Sequence, residues 1–555
     1  MIKKFSLFIS FLLFAGILYA QVTPPTLGPG EHWTNIWSLS YDYQTNGSVR
    51  YLVQDPSNPA NLCATQMATH DSVSPAGTNR YVWYSYSSDA GLTWDNGVEI
   101  ATSFFQGFHS LTVRNGAPLV ALHETATPTR TFVYEDATWG AGSFTAIGLF
   151  PQTPLPIIWP HVAVSTNGNI IVAAAPNPGF ACNYSYWNGS AWSAHTELQN
   201  TGGPSGNFSV EAGPGGLAYI HGVDYNSTFT AGNRLWTSNN NGASFTLQTG
   251  SSAPPEMIFE TDDTLMAFID GGRTGIYVGN EVHLVYTVYA NSSVQLPTPP
   301  NTVWFKKCKI LHWSSATGVD TVAARFNMPN MADTITHALV TPVCQPSLGI
   351  YNGVLYCTFT AFLRGNTQTV DDGSIVNAGE IFITYSTDNG NTWSTPVNIT
   401  LTPNVEEKHS SVIRNLVTPP NDSVGVFYLK DMKAGGWVNV PGWGPAPVYG
   451  IYKKLSGVIG IKQDLEIVRE FKLFQNYPNP FNPTTTISYY IPKSSNVTLK
   501  VYNILGSEVA TLVNGFEKSG AKEIVFDASH LASGIYYYTI AAGEYRDTKK
   551  MVVVK

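Results

Sequence analysis

The sequence predicts an all-β protein built from many short antiparallel strands. Only 12% of its 555 residues are charged and 13% are aromatic, while 49 glycines and 35 prolines break the chain at short intervals. A typical soluble domain has ~25% charged residues. Short alternating apolar runs end at Gly, Asn or Pro, as strands do, and no long stretch has helical periodicity. An eight-residue pattern that recurs three times at long intervals indicates a modular fold.

The N-terminal residues predict a secretory signal over residues 1–20. Lys3 and Lys4 precede an apolar run from Phe5 to Leu18, and Ala20 follows near the expected cleavage point. The apolar run is short for a helix that spans a bilayer. The five cysteines are scattered and odd in number, so no disulfide framework can be inferred from them. We expect no metal site and no cofactor, because the sequence contains no zinc or nucleotide-binding motif.

The recurring pattern is Ser-x-Asp-x-Gly-x-Thr-Trp, or a variant with Asn, Ser and Phe. It lies at residues 87–94 and 386–393, with a worn copy at residues 238–245. An Asp or Asn side chain can bond to the backbone of such a turn, and the Gly accepts a positive φ. The pattern resembles the Asp box of sialidase-like β-propellers. This resemblance implies that Asp89, Asn240 and Asp388 are structural residues of turns on the bottom face.

A second repeat predicts the number of structural units. It consists of an alternating apolar run, an Asn-Gly turn and another apolar run, which is a strong hairpin signal. The clear copies begin at His109, His161 and Pro346, and weaker copies begin at Arg50, Phe208, Arg273 and His409. Seven units over residues 31–455 predict a seven-bladed β-propeller, with six blades as the alternative.

The C-terminal residues predict a second, smaller β domain. Residues 470–555 contain alternating strands separated by Gly turns, which predict a small immunoglobulin-like sandwich after a linker at residues 456–469. A carbohydrate-binding or adhesive sandwich is the alternative. The opening at residues 478–483, Pro-Asn-Pro-Phe-Asn-Pro, and the ending Lys-Lys-Met-Val-Val-Val-Lys resemble the C-terminal sorting domain of type IX secretion cargo. The resemblance implies export through the periplasm, an extracellular or cell-surface location, and the type IX machinery as a partner.

The propeller resemblance also implies where a ligand would bind. The inner strand of each blade begins at the top face, and the second strand ends there. The ligand-binding candidates at these points are Arg50, His109, His161, Arg273, His409, His70 and His123. The catalytic candidates are Glu124, Asp71 and Asp224. Imidazoles and carboxylates together can act as general acid and base, although each His could instead bond a neighbouring blade.

Sialidase activity is not expected from these residues. Sialidases hold the sugar carboxylate with three arginines, whose planar forks bind it bidentately. Arg50, Arg273 and Arg414 are conceivable equivalents, but the family's Arg-Ile-Pro signature is absent and no Tyr-Glu pair can be assigned. Other glycosidases need two carboxylates ~5–10 Å apart.

The function predicted first is therefore binding of a glycan or another extracellular polymer through the top face. A glycoside hydrolase and a structural adhesion module are the alternatives, and the sequence leaves open whether the protein is an enzyme. We expect a monomer. The net charge of −8 gives no support to a nucleic-acid partner.

Overall fold

The computed structural model describes most of the chain. The described residues are 27–34, 48–69, 80–95, 97–101, 105–124, 129–151, 156–176, 181–198, 208–225, 231–260, 263–267, 272–290, 302–304, 308–324, 327–328, 330–332, 334–337, 340–414, 423–436, 446–456, 472–473, 476, 479–491, 495–517, 520–543 and 545–554. The chain divides into two compact units, Met1–Leu455 and Ser456–Lys555. The predicted signal at residues 1–20 and residues 457–469 of the predicted linker lie outside the described residues.

Regular structure in both units is almost entirely β-strand. The helical elements among the described residues are two single 3-10 turns, Pro214–Gly216 and Gly250–Ser252. In the described part of the chain, no helix has the length and apolar character that crossing a bilayer requires. The all-β prediction is confirmed.

The first unit contains 32 described strands. They are β1 Glu31–Trp33, β2 Leu52–Gln54, β3 Leu62–Thr69, β4 Arg80–Ser87, β5 Val98–Glu99, β6 Gln106–Arg114, β7 Ala117–Glu124, β8 Arg130–Asp136, β9 Phe144–Leu149, β10 Ile157–Val164, β11 Ile170–Pro176, β12 Asn183–Trp187, β13 Thr196–Glu197, β14 Ser209–Ala212, β15 Ala218–Tyr225, β16 Ala231–Ser238, β17 Thr246–Leu247, β18 Met257–Glu260, β19 Asp263–Ala267, β20 Arg273–Val278, β21 Glu281–Ala290, β22 Thr302–Trp304, β23 Cys308–Ser314, β24 Gly318–Ala323, β25 Thr334–Thr336, β26 Val343–Tyr351, β27 Val354–Thr369, β28 Ile375–Ser386, β29 Val397–Asn398, β30 Glu406–Val412, β31 Ser423–Asp431 and β32 Val448–Ser456.

Most of these strands form four-stranded antiparallel sheets. Five sheets follow chain order: β2–β5, β6–β9, β10–β13, β14–β17 and β26–β29. A sixth joins β30, β31 and β32 to the N-terminal strand β1, whose Glu31 lies opposite Lys453. A larger sheet contains β18, β19, β20, β21, β23 and β24, and β22 pairs with β25. Many four-stranded antiparallel sheets with almost no helix are consistent with a propeller-like fold.

One edge strand of each of the seven large sheets contacts the corresponding edge strand of the next sheet, and we call these strands the first strands. In order they are β2, β6, β10, β14, β20, β26 and β30. Hydrogen bonds link several neighbours: Leu111 N donates to Arg50 O (3.2 Å), Val162 N to Ser110 Oγ (3.3 Å) and Val412 N to Ser347 Oγ (3.1 Å). Tyr51 N donates to Ser411 Oγ (3.1 Å), which joins the last sheet to the first. These seven strands therefore enclose a common central space.

Apolar side chains fill the spaces between neighbouring sheets. One cluster, for example, contains Cys63, Val82, Leu111 and Val120, which come from the first two sheets in chain order. All five cysteines are buried thiols that form no disulfide bond. Core packing, and not cross-linking, holds these sheets together.

The repeated turn is built by its own side chains. After β4, Ser87 Oγ accepts from Gly91 N (2.9 Å), and Asp89 accepts from Thr93 N (2.9 Å) and Thr93 Oγ1 (2.6 Å). Asp388 accepts from Thr392 N (2.9 Å) and Thr392 Oγ1 (2.6 Å) after β28 in the same way. Ser87 lies across from Leu62 and so at the end of the sheet where the first strand finishes.

Each copy of the turn packs on the preceding sheet. The aromatic residue that ends the motif contacts an aromatic ring of the preceding sheet. The distances between ring centroids are 5.5 Å for Trp94 and Tyr452, 4.8 Å for Phe245 and Tyr184, and 5.5 Å for Trp393 and His312. The motif glycines have positive φ, and an added Cβ would meet the Tyr452, Ile171 and His312 side chains respectively. The turn therefore joins neighbouring sheets.

The second unit is two sheets on one core. Its strands are β33 Lys472–Leu473, β34 Thr484–Ile491, β35 Ser495–Asn503, β36 Glu508–Glu517, β37 Gly520–Asp527, β38 Gly534–Ala542 and β39 Tyr545–Val553. One sheet has the order β33-β34-β37 and the other β36-β35-β38-β39. Phe481 N donates to Val552 O (3.0 Å) and Val554 N donates to Phe481 O (2.9 Å), so the opening segment of this unit is bonded to its last strand.

Candidate functional site

Four first strands carry a bulge at the same point. In each, a non-glycine residue with positive φ interrupts the pairing with the second strand; these residues are Phe108 (φ 50), Trp159 (φ 56), Gln345 (φ 54) and His409 (φ 57). Such a conformation is uncommon and persists only where the surrounding structure imposes it. The bulges lie toward the end at which the first strands begin, which we call the top face. Because the bulge occurs at the same point of each of these strands, it allows the repeats to be aligned with one another.

In this alignment the three histidines predicted on the first strands occupy different positions. His409 is itself a bulge residue, His109 follows a bulge residue by one position, and His161 follows one by two. In the sequence, His109 and His161 occupy the same place in the repeat, because each lies at the same distance before an Asn-Gly pair. They are not equivalent because the turns differ in length: Arg114 pairs with Ala117, whereas Val164 pairs with Ile170.

Two of these histidines are packed around one tyrosine. The rings of His109 and His409 lie edge-on to Tyr51, at 5.5 and 6.2 Å between centroids. Burial lowers the pKa of His109 to about 3. Burial also lowers the pKa of His409 well below its ordinary value, with Lys408 and His337 acting in the same direction. Both imidazoles are therefore neutral at pH 7 and lie in the interior.

His161 borders a small space enclosed by the seven first strands. Its imidazole lies edge-on to the Phe208 ring, with 6.3 Å between the ring centroids. The space is also lined by Ser48, Val49, Arg50, Ser110, Val162, Ser209, Val210 and Arg414. It has room for about one water molecule, so a sugar ring does not fit into it.

His123 and Glu124 end the second strand β7 beside the top face. Arg80 Nη2 lies 3.2 Å from His123 Nε2, and burial together with Arg80 lowers the pKa of His123 well below its ordinary value. Glu124 is buried and accepts a hydrogen bond from the Tyr134 hydroxyl. Burial raises the pKa of Glu124, which favours its protonated form. A carboxyl in this state can serve as a proton donor.

The remaining predicted residues are spread over other positions. Arg273 is buried at the start of β20, near His221 on β15. Burial, with Arg273 contributing, lowers the pKa of His221 to about 3, and His221 Nε2 lies 3.1 Å from Asn233 Oδ1. Asp224 lies on β15 opposite Gly232, and its side chain lies outside what the structure describes. His70 and Asp71 also lie outside the described residues.

Sequence reasoning missed Glu211. This residue lies on β14 and forms ion pairs with both Arg50 and Arg414 in the central space. Two of the three arginines considered as a carboxylate clamp are thus already bound to a carboxylate. A lone Glu between Val210 and Ala212 on an apolar strand was the signal available in the sequence.

Glu406 and Glu407 start strand β30 and point to opposite sides of it. Glu406 pairs with His337 and with Lys408 Nζ (2.9 Å). Glu407 accepts from Thr402 Oγ1 and lies 3.7 Å from Lys430 Nζ. Alternation along a strand dictates this separation, so the two carboxyl groups do not work as one pair.

Two half-buried aromatic rings lie side by side on the top face. Phe108 and Trp159, the bulge residues of two neighbouring sheets, have ring centroids 6.3 Å apart in an edge-on arrangement. The Arg80 guanidinium lies 5.0 Å from the Phe108 ring and donates to Gln106 O (2.9 Å). We call Phe108, Trp159 and Arg80 the aromatic ledge. Among the described residues, no group of three His, Cys, Asp or Glu is arranged to hold a metal ion.

Comparison with known families identifies the C-terminal unit. Residues 475–554 match the family described as the secretion system C-terminal sorting domain. The predicted resemblance of this region is confirmed. The protein is exported by type IX secretion to the cell surface or the extracellular space, and its sorting domain interacts with the type IX machinery. No curated protein is detectably similar in sequence.

Solved structures of low similarity also align with the chain. A PL25 ulvan lyase bound to a GlcA–Rha3S oligosaccharide has 8% identity and a TM-score of 0.46, with 76% of this chain and 96% of that one covered. A Hadza microbial sialidase has 14% identity and a TM-score of 0.32 over 42% of this chain and 49% of that one. An exo-β-1,3-galactanase from Phanerochaete chrysosporium has 10% identity and a TM-score of 0.28 over 80% and 95%. These values are too low to carry an argument about this protein.

Proposed function

We propose that the exported protein binds a glycan or another extracellular polymer through its top face, and that the aromatic ledge is the contact surface. The single observation that carries this proposal is the pair of half-buried rings, Phe108 and Trp159, held at bulges of two neighbouring first strands. Aromatic faces pack well against the apolar faces of sugars, and their polar surroundings orient a ligand.

Arg80 supports the ledge from the interior. It is buried, is held by Gln106 O and His123, and lies against the Phe108 ring, so that ring is oriented before any ligand arrives. A preoriented side chain loses little conformational freedom on binding. The strained backbone at Phe108 and Trp159 supports the same view, because such conformations concentrate at ligand-binding positions.

A glycoside hydrolase is the second candidate. The observation that favours it is Glu124, whose pKa burial raises and whose carboxyl accepts from Tyr134 at the end of β7. A general acid needs a raised pKa of this kind. Asp71 and Asp224 remain the proposed second carboxylates. Arg50, His109, His161, Arg273, His409, His70 and His123 remain proposed ligand-side residues, with the first six secondary to the ledge and His123 supporting Arg80.

The proposal includes the architecture in which the ledge is set. The seven large sheets of the first unit are taken as seven blades over residues 31–455, and the repeated turns as Asp boxes. Residues 456–469 are taken as a linker, residues 470–555 as an immunoglobulin-like sorting domain, and the exported protein as a monomer. The closed cycle of first strands and the turns that pack on the preceding sheet support this reading.

Retention on insoluble polysaccharides tests the ledge. Trp159→Ala and Phe108→Ala in the full exported chain should each weaken binding, by roughly 1–3 kcal/mol if the ring is a main contact. The matched control is Trp139→Ala, a half-buried tryptophan in the turn after β8 at the opposite end of its sheet. Equal retention of the ledge variants and the control would contradict the proposal.

Product release separates the two candidates. The same polysaccharides are incubated with the protein and with Glu124→Gln, which keeps the size of the side chain and removes the acid. Soluble products from the protein but not from the variant would favour the hydrolase. Binding without products favours the polymer-binding role, and neither binding nor products would favour a structural adhesion module.

A further inference from the structure

Three charged side chains meet inside the ring from strands far apart in the sequence. Arg50 lies just before β2, Glu211 on β14 and Arg414 just after β30. Both arginines form ion pairs with the same oxygen, Glu211 Oε2. The first, the fourth and the last of the seven large sheets are thus connected across the central space.

Two threonines also accept hydrogen bonds from the arginines. Arg50 Nη1 donates to Thr112 Oγ1 (2.8 Å) on β6, and Arg414 Nη2 donates to Thr274 Oγ1 (2.9 Å) on β20. The other carboxylate oxygen, Glu211 Oε1, accepts from Ala212 N (3.2 Å). Five of the seven sheets therefore contribute to one polar cluster.

The cluster has more positive than negative charge and little solvent. The side chains of Arg50 and Arg414 are 11% exposed and that of Glu211 is 12% exposed. Burial alone would raise the pKa of Glu211, but Arg50 and Arg414 outweigh it and hold the pKa below its ordinary value. Burial and the nearby Arg414 lower the pKa of Arg50 to about 10. Two guanidinium groups fixed around one point strongly favour a carboxylate there.

We propose that Arg50 and Arg414, oriented by Thr112 and Thr274, form a carboxylate-binding site whose occupant is the protein's own Glu211. The site joins the sheets from the inside and is unavailable to a carboxylate of a substrate. The adjoining space, which has room for about one water molecule, admits no larger group.

Replacement of the internal carboxylate by a free one tests this proposal. Glu211→Ala removes Cγ, Cδ and both carboxylate oxygens, which together have the size of an acetate ion. At pH 7 the variant in the full chain should unfold at a lower temperature than the wild type. Sodium acetate should then raise its Tm with the logarithm of the acetate concentration, as a ligand that binds the folded state does. The wild type, whose site is occupied, should not respond.

Sodium chloride at the same ionic strength controls for screening. A second variant, Glu211→Ala with Arg414→Met, removes half of the clamp and should lose the acetate response. An equal Tm rise in chloride, an equal rise in the wild type, or a response that survives Arg414→Met would overturn the proposal.

A refolding assay covers a variant that does not fold in plain buffer. Glu211→Ala is diluted from denaturant into acetate or into chloride, and the folded protein recovered is measured by gel filtration. Higher recovery in acetate supports the site, and equal recovery in the two salts contradicts it. Neither result depends on binding of any polymer, so the ledge proposal is tested separately.

Discussion

At the scale of single residues, the repeated glycines do two things at once. Gly91, Gly242 and Gly390 adopt positive φ and also leave room for a side chain of the preceding sheet. A Cβ at any of these positions would strain the backbone and displace its neighbour. The glycine of the motif is therefore required both by the turn and by the contact between neighbouring sheets.

Substitution at one such glycine separates the two effects. Gly390→Ala should lower the free energy of unfolding by at least ~2 kcal/mol for two reasons. The added Cβ collides with the His312 ring, and alanine is strained at the positive φ of this position. Gly353→Ala is the matched control, because Gly353 has φ +73 and open space around its Cβ. Urea unfolding of both variants measures the difference. Equal losses would mean that packing on His312 contributes nothing.

At the scale of elements, the N-terminal strand β1 completes the last sheet. Its Glu31 is buried and accepts from the Tyr428 hydroxyl (2.6 Å), Lys430 Nζ (3.1 Å) and Gly28 N (2.9 Å). Lys453 Nζ lies 3.4 Å away on the partner strand. Burial would raise the pKa of Glu31, but the two lysines outweigh it and lower the pKa. One carboxylate is thus shared by two buried ammonium groups where β1 pairs with β32.

Removal of that charge should weaken the closure of the sheet. Glu31→Gln removes the carboxylate that Lys430 and Lys453 share and leaves Lys430 only the more distant Glu407, at 3.7 Å. We expect a loss of ~3–5 kcal/mol, typical of a broken buried pair. Asp371→Asn is the control, because it breaks the more exposed Asp371–Lys433 pair (2.8 Å). That variant should lose less than ~1 kcal/mol. Chemical denaturation of the two variants compares them, and similar losses would argue against a special role for β1.

At the scale of the whole molecule, burial of many histidines links stability to pH. The pKa is lowered for His109, His123, His221, His283, His312 and His409, chiefly by burial. In the unfolded chain these groups bind protons below pH ~6.5. Between that pH and the lower folded values, the unfolded state holds more protons, so stability falls as the pH falls. Glu407 opposes this trend, because burial raises its pKa well above the ordinary value.

The expected result is a steep acid dependence. The free energy of unfolding should decrease by at least ~1.4 kcal/mol for each pH unit between pH 6 and 5, the amount for one net proton. Urea titrations at a series of pH values measure the slope. A flat profile over this range would mean that the histidines are solvated in the folded state or that Glu407 and other buried acids compensate them fully.

The site shows where sequence reasoning stopped. Residue types and their order were sufficient to find the hairpins, the repeated turns and the sorting domain, because these depend on neighbours in the chain. The different registers of His109 and His161 could not be read from the sequence, since one turn is longer than the other and only strand pairing reveals the register. Glu211 was missed because its partners Arg50 and Arg414 lie 161 and 203 residues away.

The sequence by itself determined the all-β class, the repeated turns and the sorting domain that exports the protein. Each depends on local patterns, such as apolar alternation, Gly at positive φ and the Pro-Asn-Pro-Phe-Asn-Pro opening. Only the tertiary structure decided which side chains meet: Tyr51 with two histidines, Phe108 with Trp159, and Glu211 with two arginines. The physical reason is that the cycle of sheets brings residues hundreds of positions apart into contact, and no local pattern encodes that distance.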